Sequence, residues 1–172
     1  MARTYDGFVF VKTQNGAQPA TKNVPVVAGT AYHPGQVVRC VSTSGSAKRV
    51  AQTGTAVWGV LAAGIASADI AATTRLPMYI ADGNNVFRSK MGFSSTPLTQ
   101  MRDMVNLTVA STHNYRIQGT ASTVYHCRIV GYEDFKSDNA TKIAEGSAAT
   151  GVQYHVVFRP GISLDGTGST TY

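Results

Sequence analysis

The feature that most constrains this chain is a series of short runs rich in Val, Ile and aromatic residues, cut by Gly, Ser and Pro clusters, between Tyr32 and Ile80. The runs are 34–41, 47–51, 57–61 and 76–80. Such runs at a spacing of roughly 8–12 residues are typical of an antiparallel sandwich or barrel. We therefore predict an all-β protein, an antiparallel β-barrel or sandwich with at most one or two short helices and an extended N-terminal arm.

The chain length of 172 residues predicts one domain, or one domain with an appended arm. The long polar stretch Thr13–Asn23 contains Gly and Pro, which favours an exposed loop or arm. A terminal arm of this kind can add a strand to a neighbour, and a frayed terminus without a role is the alternative. The predicted organisation is an N-terminal arm and first strand over 1–23, a β-rich domain over 24–160 and a flexible C-terminal tail over 161–172.

Turn residues and proline place several elements. Ser44-Gly45 predicts a hairpin turn, and Asp82-Gly83-Asn84-Asn85 predicts a second hairpin between 76–80 and 86–88. Val24–Val27 is predicted as an edge strand because Pro25 has no N–H to donate to a ladder.

Two further segments test the balance between helix and loop. Ala62–Ala72 is rich in Ala, yet Gly64 and the neighbouring Ser and Thr favour a loop. Thr96–Val105 is the best helix candidate, with Thr96 as its cap and Pro97 in its first turn.

The later part of the chain returns to β patterns, with strands predicted at 114–117, 124–130 and 152–158. In the second of these, alternation places Tyr125, Cys127 and Ile129 on one face and His126 and Arg128 on the other. In the last, the inward set is Val152, Tyr154, Val156 and Phe158. Trp58, the only Trp, is predicted to be a core residue, and the adjacent Gly59 permits close approach of backbone or ring.

Charge is sparse and basic. Charged residues make up 14% of the chain, below the usual quarter, and the net charge is +6. A basic balance fits an anionic partner such as nucleic acid or an acidic protein shell. The cations are scattered, with only Lys48 and Arg49 adjacent, so a solvated basic surface is preferred and nucleic-acid binding is not expected. No apolar run of about 20 residues is present, so a membrane partner is not expected either.

Motifs for chemistry are missing from the sequence. The His and Cys residues lack the spacing of a zinc site, and the acids fall in predicted loops or turns. No glycine-rich phosphate motif occurs. Cys40 and Cys127 are predicted to be free, buried thiols. We predict no catalytic residue, no metal site and no cofactor, and thus not an enzyme.

A family resemblance accompanies these patterns. The segments that carry it are Pro34–Val38, Ala47–Ala51, Trp58–Ala63, Met78–Asp82, Tyr115–Gly119 and Tyr154–Phe158. Together, across about 24–160, they resemble virion structural proteins of tailed bacteriophages, most closely the capsid decoration (cement) proteins.

The resemblance implies a structural virion protein on the capsid exterior, made in the host cytoplasm, that binds the major capsid protein and stabilises the shell, commonly as a homotrimer. The candidate partner-binding residues belong to the arm and its surroundings: Arg3, Tyr5, Phe8, Phe10, Lys12 and Lys22. The alternative is a tail or fibre adsorption module in which Trp58, Tyr79 or Tyr125 stacks on a host glycan.

Overall fold

The computed structural model describes residues 7–41, 43–50, 57–94, 104–111, 114–119, 126–132 and 153–159. Within these ranges the chain forms eleven β-strands and one short 3₁₀ turn, and no α-helix. The strands are β1 Val9–Thr13, β2 Thr21–Pro25, β3 Val37–Val41, β4 Ser46–Arg49, β5 Gly59–Leu61, β6 Arg75–Ile80, β7 Asn85–Ser94, β8 Met104–Ser111, β9 Asn114–Gly119, β10 Cys127–Tyr132 and β11 Gln153–Phe158. The predicted all-β class is confirmed.

The strands form two sheets. Sheet I has six strands in the order β1-β7-β11-β10-β8-β9, and the far end of β7 also pairs in parallel with β9. Sheet II has five strands in the order β2-β6-β5-β3-β4, all paired antiparallel. Over the described residues the architecture is an all-β sandwich, and the barrel is not closed. No helix in the described ranges has the length and apolar character needed to cross a bilayer.

Two of the local predictions are confirmed in sheet II. β2, which ends at Pro25, is an edge strand of this sheet. β3 and β4 form a hairpin in which Gly45 has φ +61°, a left-handed conformation that glycine adopts readily. The Gly45 N–H donates to the Val41 carbonyl at 2.7 Å and closes the turn.

The Asp82–Asn85 turn also forms, but the predicted hairpin is wrong. β6 belongs to sheet II and β7 to sheet I, so the turn carries the chain from one sheet to the other. The Asn85 side-chain amide donates to the carbonyls of Ile80 and Ala20, at 2.9 and 3.1 Å. Asn85 thus anchors the start of β7 to the sheet II side while its backbone joins sheet I.

The predicted helix at Thr96–Val105 is wrong at its C-terminal end, and residues 95–103 lie outside the described part. Met104 and Val105 begin β8, where they pair with Arg128 and Cys127 of β10. Val105 is fully buried, so strand pairing across the sheet prevails over the local helix signal. Ala62–Ala72 is a loop as predicted, with the 3₁₀ turn at Ser67–Asp69 inside it.

Two hydrophobic cores share the strands of sheet II. Core I lies against sheet I and includes Phe8, Val37, Val60, Phe87, Tyr115, Ile129 and Phe158. Core II lies on the other face of sheet II and comprises Val24, Tyr32, Val38, Ala47, Trp58, Leu61, Leu76 and Met78. Neighbouring residues alternate between the cores because successive side chains of a strand point to opposite faces. Trp58 is buried, as predicted.

The C-terminal strands follow the predicted alternation where they are described, except that Val157 of β11 is buried as well. In β10, Cys127 and Ile129 enter core I while Arg128 is exposed. Tyr154, Val156 and Phe158 of β11 enter the same core. His126, which precedes β10, is buried, and its Nδ1 accepts the Leu107 N–H at 3.4 Å. Tyr125 and Val152 lie outside the described residues.

Candidate docking site

The N-terminal segment forms an edge of the sandwich. Residues 1–6 lie outside the described part, and from Gly7 onward the structure differs from an extended arm. β1 pairs with β7 in sheet I, β2 pairs with β6 in sheet II, and the turn at 14–20 joins them. Apolar packing holds this segment in the fold, because Phe8 is buried in core I and Phe10 packs against that core.

β1 carries an unusual pair of exposed side chains. Val9 is 48% exposed and Val11 is 38% exposed, and they are the large hydrophobic residues of the described chain that face solvent. Val11 sits at an irregularity in the β1–β7 register, between Phe10 and Lys12. Within the described residues β1 has one strand neighbour, so its other edge offers backbone N–H and C=O groups to a further strand.

A cleft of about 400 Å³ lies beside this strand. Its lining residues are Gly7, Phe8, Val9, Phe10, Pro34, Gly35, Leu61, Ala62 and Tyr79. Four consecutive residues, Gly7 to Phe10, form one wall, whereas side chains of a strand alternate between its faces. A wall of consecutive residues therefore means that the cleft runs along the edge of the chain and not over one face of the sheet.

Two glycines fix this wall to sheet II. The Phe8 N–H donates to the Gly35 carbonyl at 3.0 Å, and the Gly35 N–H donates to the Leu61 carbonyl at 2.8 Å. A Cβ at Gly7 would lie 2.9 Å from the Gly35 oxygen, and Gly35 itself has φ +81°. Both positions need glycine, because any larger residue would push β1 away from the loop that faces it.

Packed aromatic rings form the base of the cleft. The rings of Phe10 and Tyr79 stack with centroids 4.5 Å apart and planes 11° apart, which ties β1 to β6 across the two sheets. Phe10 also meets Phe87 edge-on at 6.2 Å, and Phe8 packs on Phe158 at 5.3 Å. Such pairs add roughly 0.5–1.5 kcal/mol each beyond area burial, so the cleft has a rigid base.

The described part of the molecule is strongly basic. It holds eleven Lys and Arg residues and two acids, Asp69 and Asp82, whereas four of the 15 basic and seven of the 9 acidic residues of the chain lie elsewhere. The eleven are Lys12, Lys22, Arg39, Lys48, Arg49, Arg75, Arg88, Lys90, Arg116, Arg128 and Arg159. Beside the cleft, Lys12 is exposed on β1 and Arg88 lies directly opposite Val9.

A second basic site lies on the β3–β4 hairpin. Arg39 and Lys48 are exposed and directly opposite each other across the two strands. Like charges at opposed positions destabilise a sheet, and a bound anion offsets that repulsion. This arrangement favours an anionic partner for the sheet II surface.

The six predicted partner-binding residues are dispersed. Arg3 and Tyr5 lie outside the described residues, while Phe8, Phe10 and Lys12 come together along β1. Phe8 acts through the core and not as an exposed contact, because it is 2% exposed. Lys22 lies on β2 in the other sheet, with its ammonium 5.4 Å from the centroid of the Trp58 ring.

Sequence reasoning missed Val9, Val11 and the three segments facing them. The signal for the first two is the unbroken apolar run Phe8–Val11, which is apolar on both faces and therefore cannot bury all its side chains at a sheet edge. No local signal joins Pro34-Gly35, Leu61-Ala62 and Tyr79 to that run, because they converge only in the folded chain.

Burial favours the neutral forms of two ionisable groups in core I. Burial raises the pKa of the Cys127 thiol, and burial likewise raises the pKa of Tyr115 to about 12. Both cysteine thiols are free, Cys127 in core I and Cys40 half-buried against core II. Within the described ranges no group of three or more His, Cys, Asp and Glu side chains is placed to hold a metal ion.

The aromatic residues proposed for glycan stacking have other contacts. Trp58 is 8% exposed in core II with Lys22 over its ring, and the Tyr79 ring is stacked on Phe10. Tyr125 lies outside the described residues.

Comparison of the chain with protein-family models, with curated proteins and with solved structures found no match in any of the three. The docking site therefore rests on its geometry alone.

Proposed function

We propose that this protein is a structural virion protein of a tailed bacteriophage, a decoration protein that binds the outside of the capsid and stabilises the shell. The observation that carries the proposal is the β1 edge, where Val9 and Val11 are exposed beside an apolar cleft. An exposed apolar edge strand invites pairing with another chain, so a protein that keeps one uses it or aggregates.

The charge distribution supports an acidic protein surface as the partner. A chain with a net charge of +6 is attracted to such a surface and oriented by it. The capsid exterior formed by the major capsid protein is the partner surface we propose. Because that surface repeats, a modest contact made by each copy of a homotrimer adds up to tight binding.

Binding to shells tests the proposal directly. Capsids stripped of this protein are mixed with the purified chain and sedimented, with free capsid subunits as the control. We expect the chain to sediment with intact shells and not to bind free subunits, and the decorated shells to withstand a higher temperature. Equal binding to free subunits, or no binding to shells, overturns the proposal.

Imaging of the particle separates the head from the tail. Antibody labelling of virions is expected to place the protein on the capsid exterior. Labelling confined to the tail favours the adsorption module and overturns the decoration role. Sedimentation equilibrium of the free protein tests the homotrimer, for which a mass three times that of the 18.2 kDa chain is expected.

A nucleic-acid partner is distinguished by its salt dependence. Neutralising several phosphates makes binding fall steeply as salt rises. A gel shift of duplex DNA that disappears between about 50 and 200 mM salt, together with no binding to shells, replaces the decoration role with nucleic-acid binding.

A further inference from the structure

We infer that the cleft along β1 accepts an extended segment of a partner protein, with alternating apolar and acidic residues, as an added β-strand of sheet I. The inference rests on the proposed function and names the mode of binding and the chemistry of the capsid segment. The chain then receives a strand at this edge, whereas the sequence left open an N-terminal arm that donates a strand or a frayed terminus without a role.

The backbone geometry indicates strand addition. The Phe8 N–H is already donated to Gly35, so the edge open to a further strand begins after Phe8 and runs along β1, whose one strand neighbour among the described residues is β7. An added strand gains affinity from main-chain hydrogen bonds and specificity from pockets for alternate side chains. At about 3.3 Å per residue the five residues of β1 span about 16 Å, enough for roughly four or five residues of the incoming segment.

The side chains around the cleft select apolar residues on one face of that segment. Pro34, Leu61 and Ala62 form the opposite wall, and the stacked pair of Phe10 and Tyr79 forms the base. The Phe8–Gly35 and Gly35–Leu61 hydrogen bonds join the two walls at one end of the cleft and fix their relative position. The cleft is thus preformed, which lowers the entropy cost of binding.

Basic side chains near β1 favour acidic residues on the other face of the incoming segment. Lys12 is exposed on β1 itself, and Arg88 is the cross-strand neighbour of Val9. Pairing β1 with β1 of a second copy would bring two sets of these cations together, which is unfavourable. An acidic segment from a different protein meets them with opposite charge, so we commit to that occupant.

A designed peptide provides the probe. The peptide acetyl-Val-Glu-Val-Glu-Val-Glu-amide is titrated into the full chain by calorimetry, alongside its fully N-methylated form and its Val-Lys counterpart. We expect the Val-Glu peptide to bind at least about 10-fold more tightly than either control. Equal binding of the N-methylated peptide overturns strand addition, and equal binding of the Val-Lys peptide overturns the acidic preference.

Variants locate the site. V9K and V11K place a charge at exposed positions and leave the core intact, and each is expected to weaken the Val-Glu peptide at least about 10-fold. T21K is the matched control, because Thr21 is exposed on β2, the edge strand of sheet II. Equal weakening by T21K, or none by V9K and V11K, overturns the location. Amide hydrogen exchange gives an independent readout: bound peptide is expected to slow exchange along Val9–Thr13 at least about 10-fold, and unchanged exchange overturns the inference.

The two proposals fail separately. If the Val-Glu peptide binds at β1 but the chain does not sediment with shells, the strand-accepting cleft stands and the decoration role fails. If the chain sediments with shells and V9K and V11K sediment equally well, the decoration role stands and the inference fails.

Discussion

Gly59 occupies a position where strands β5 and β6 pack too closely for a Cβ atom. It lies in β5 opposite Ile80, and a Cβ added there would run into the carbonyl oxygen of Tyr79 and come within 2.7 Å of Met78 Sδ. The carbonyl belongs to the neighbouring strand of the ladder, so it cannot move aside without breaking strand pairing. The close approach that the Trp58-Gly59 pair predicted is therefore present between β5 and β6.

Gly59→Ala is expected to destabilise the fold by about 1–3 kcal/mol, because overpacking forces backbone shifts. Urea unfolding followed by the fluorescence of Trp58 measures this. Gly131→Ala is the matched control, since its Cβ would meet His155 Cβ at an ordinary 3.4 Å. Equal stability of the Gly59→Ala protein and the wild type would contradict the steric argument.

Tyr115 links core I to the β4 side of sheet II. It is 1% exposed, and its hydroxyl donates to the Val50 carbonyl at 3.3 Å. Burial raises its pKa to about 12, with the nearby Arg49 acting in the opposite direction. The folded protein therefore keeps Tyr115 protonated at pH values where the unfolded chain has lost that proton.

This pKa difference predicts a loss of stability in alkali. The raised folded pKa means that the stabilisation is complete below pH 10 and is lost as pH rises from 10 to about 12. The free energy of unfolding should fall by up to about 1.4 kcal/mol per pH unit from this group. Urea unfolding at pH 9, 10.5 and 11.5 should show a shallower fall for Tyr115→Phe than for the wild type. Identical pH slopes would show that Tyr115 has the same pKa folded and unfolded.

At the level of elements, the turn between β6 and β7 decides how the sheets are connected. One carboxylate oxygen of Asp82 accepts the backbone N–H groups of Asn84 and Asn85, both at 2.9 Å. The Gln14 side chain donates to the Gly83 carbonyl at 2.6 Å, and the Asn84 amide donates to the Asn15 side chain at 3.0 Å. The β6–β7 turn and the β1–β2 turn therefore support each other at one end of the sandwich.

Asp82→Ala is expected to cost about 1–2 kcal/mol, since two backbone donors lose their acceptor. Asp82→Asn keeps an acceptor oxygen and should recover part of that loss. Asp69→Ala makes the same change in charge at an exposed position and should be nearly neutral. Urea midpoints of the three variants measure this, and equal losses in Asp82→Ala and Asp69→Ala would mean that charge and not the turn is responsible.

For the whole molecule, the shared strands make the two cores one cooperative unit. Val37 and Val60 point into core I, while the adjacent Val38 and Leu61 point into core II. Neither core can lose its packing while β3 and β5 remain in place for the other. The only Trp, Trp58, belongs to core II and reports on that core alone.

Ile129→Ala removes a side chain from core I and is expected to cost about 2–5 kcal/mol. Because the cores unfold together, the Trp58 fluorescence transition in core II should shift by the same amount as the far-UV circular dichroism transition. For a chain of this size each kcal/mol corresponds to about 2–4 °C in Tm. Val9→Ala, at an exposed position, is the control. A Trp58 transition that does not move would show that the cores unfold independently.

Much of the secondary structure follows from the sequence alone. Pro25 placed β2 at an edge, Ser44-Gly45 placed the β3–β4 hairpin, and alternation assigned Cys127 and Ile129 to the core. These features depend on a residue and its near neighbours: a missing N–H, a backbone that tolerates positive φ, and a side-chain period of two. Because these features depend on residues that are close in sequence, they can be predicted from the sequence alone.

The tertiary structure decided which strands pair and what they enclose. The turn at Asp82–Asn85 has the same residues whether it closes a hairpin or joins two sheets, and Val105 became a strand residue because Cys127 lies opposite it. The docking cleft brings 7–10 together with 34–35, 61–62 and Tyr79, which are separated by tens of residues. Which strands pair over such distances depends on the apolar area that whole sheet faces bury against one another. No single segment of the sequence determines that area.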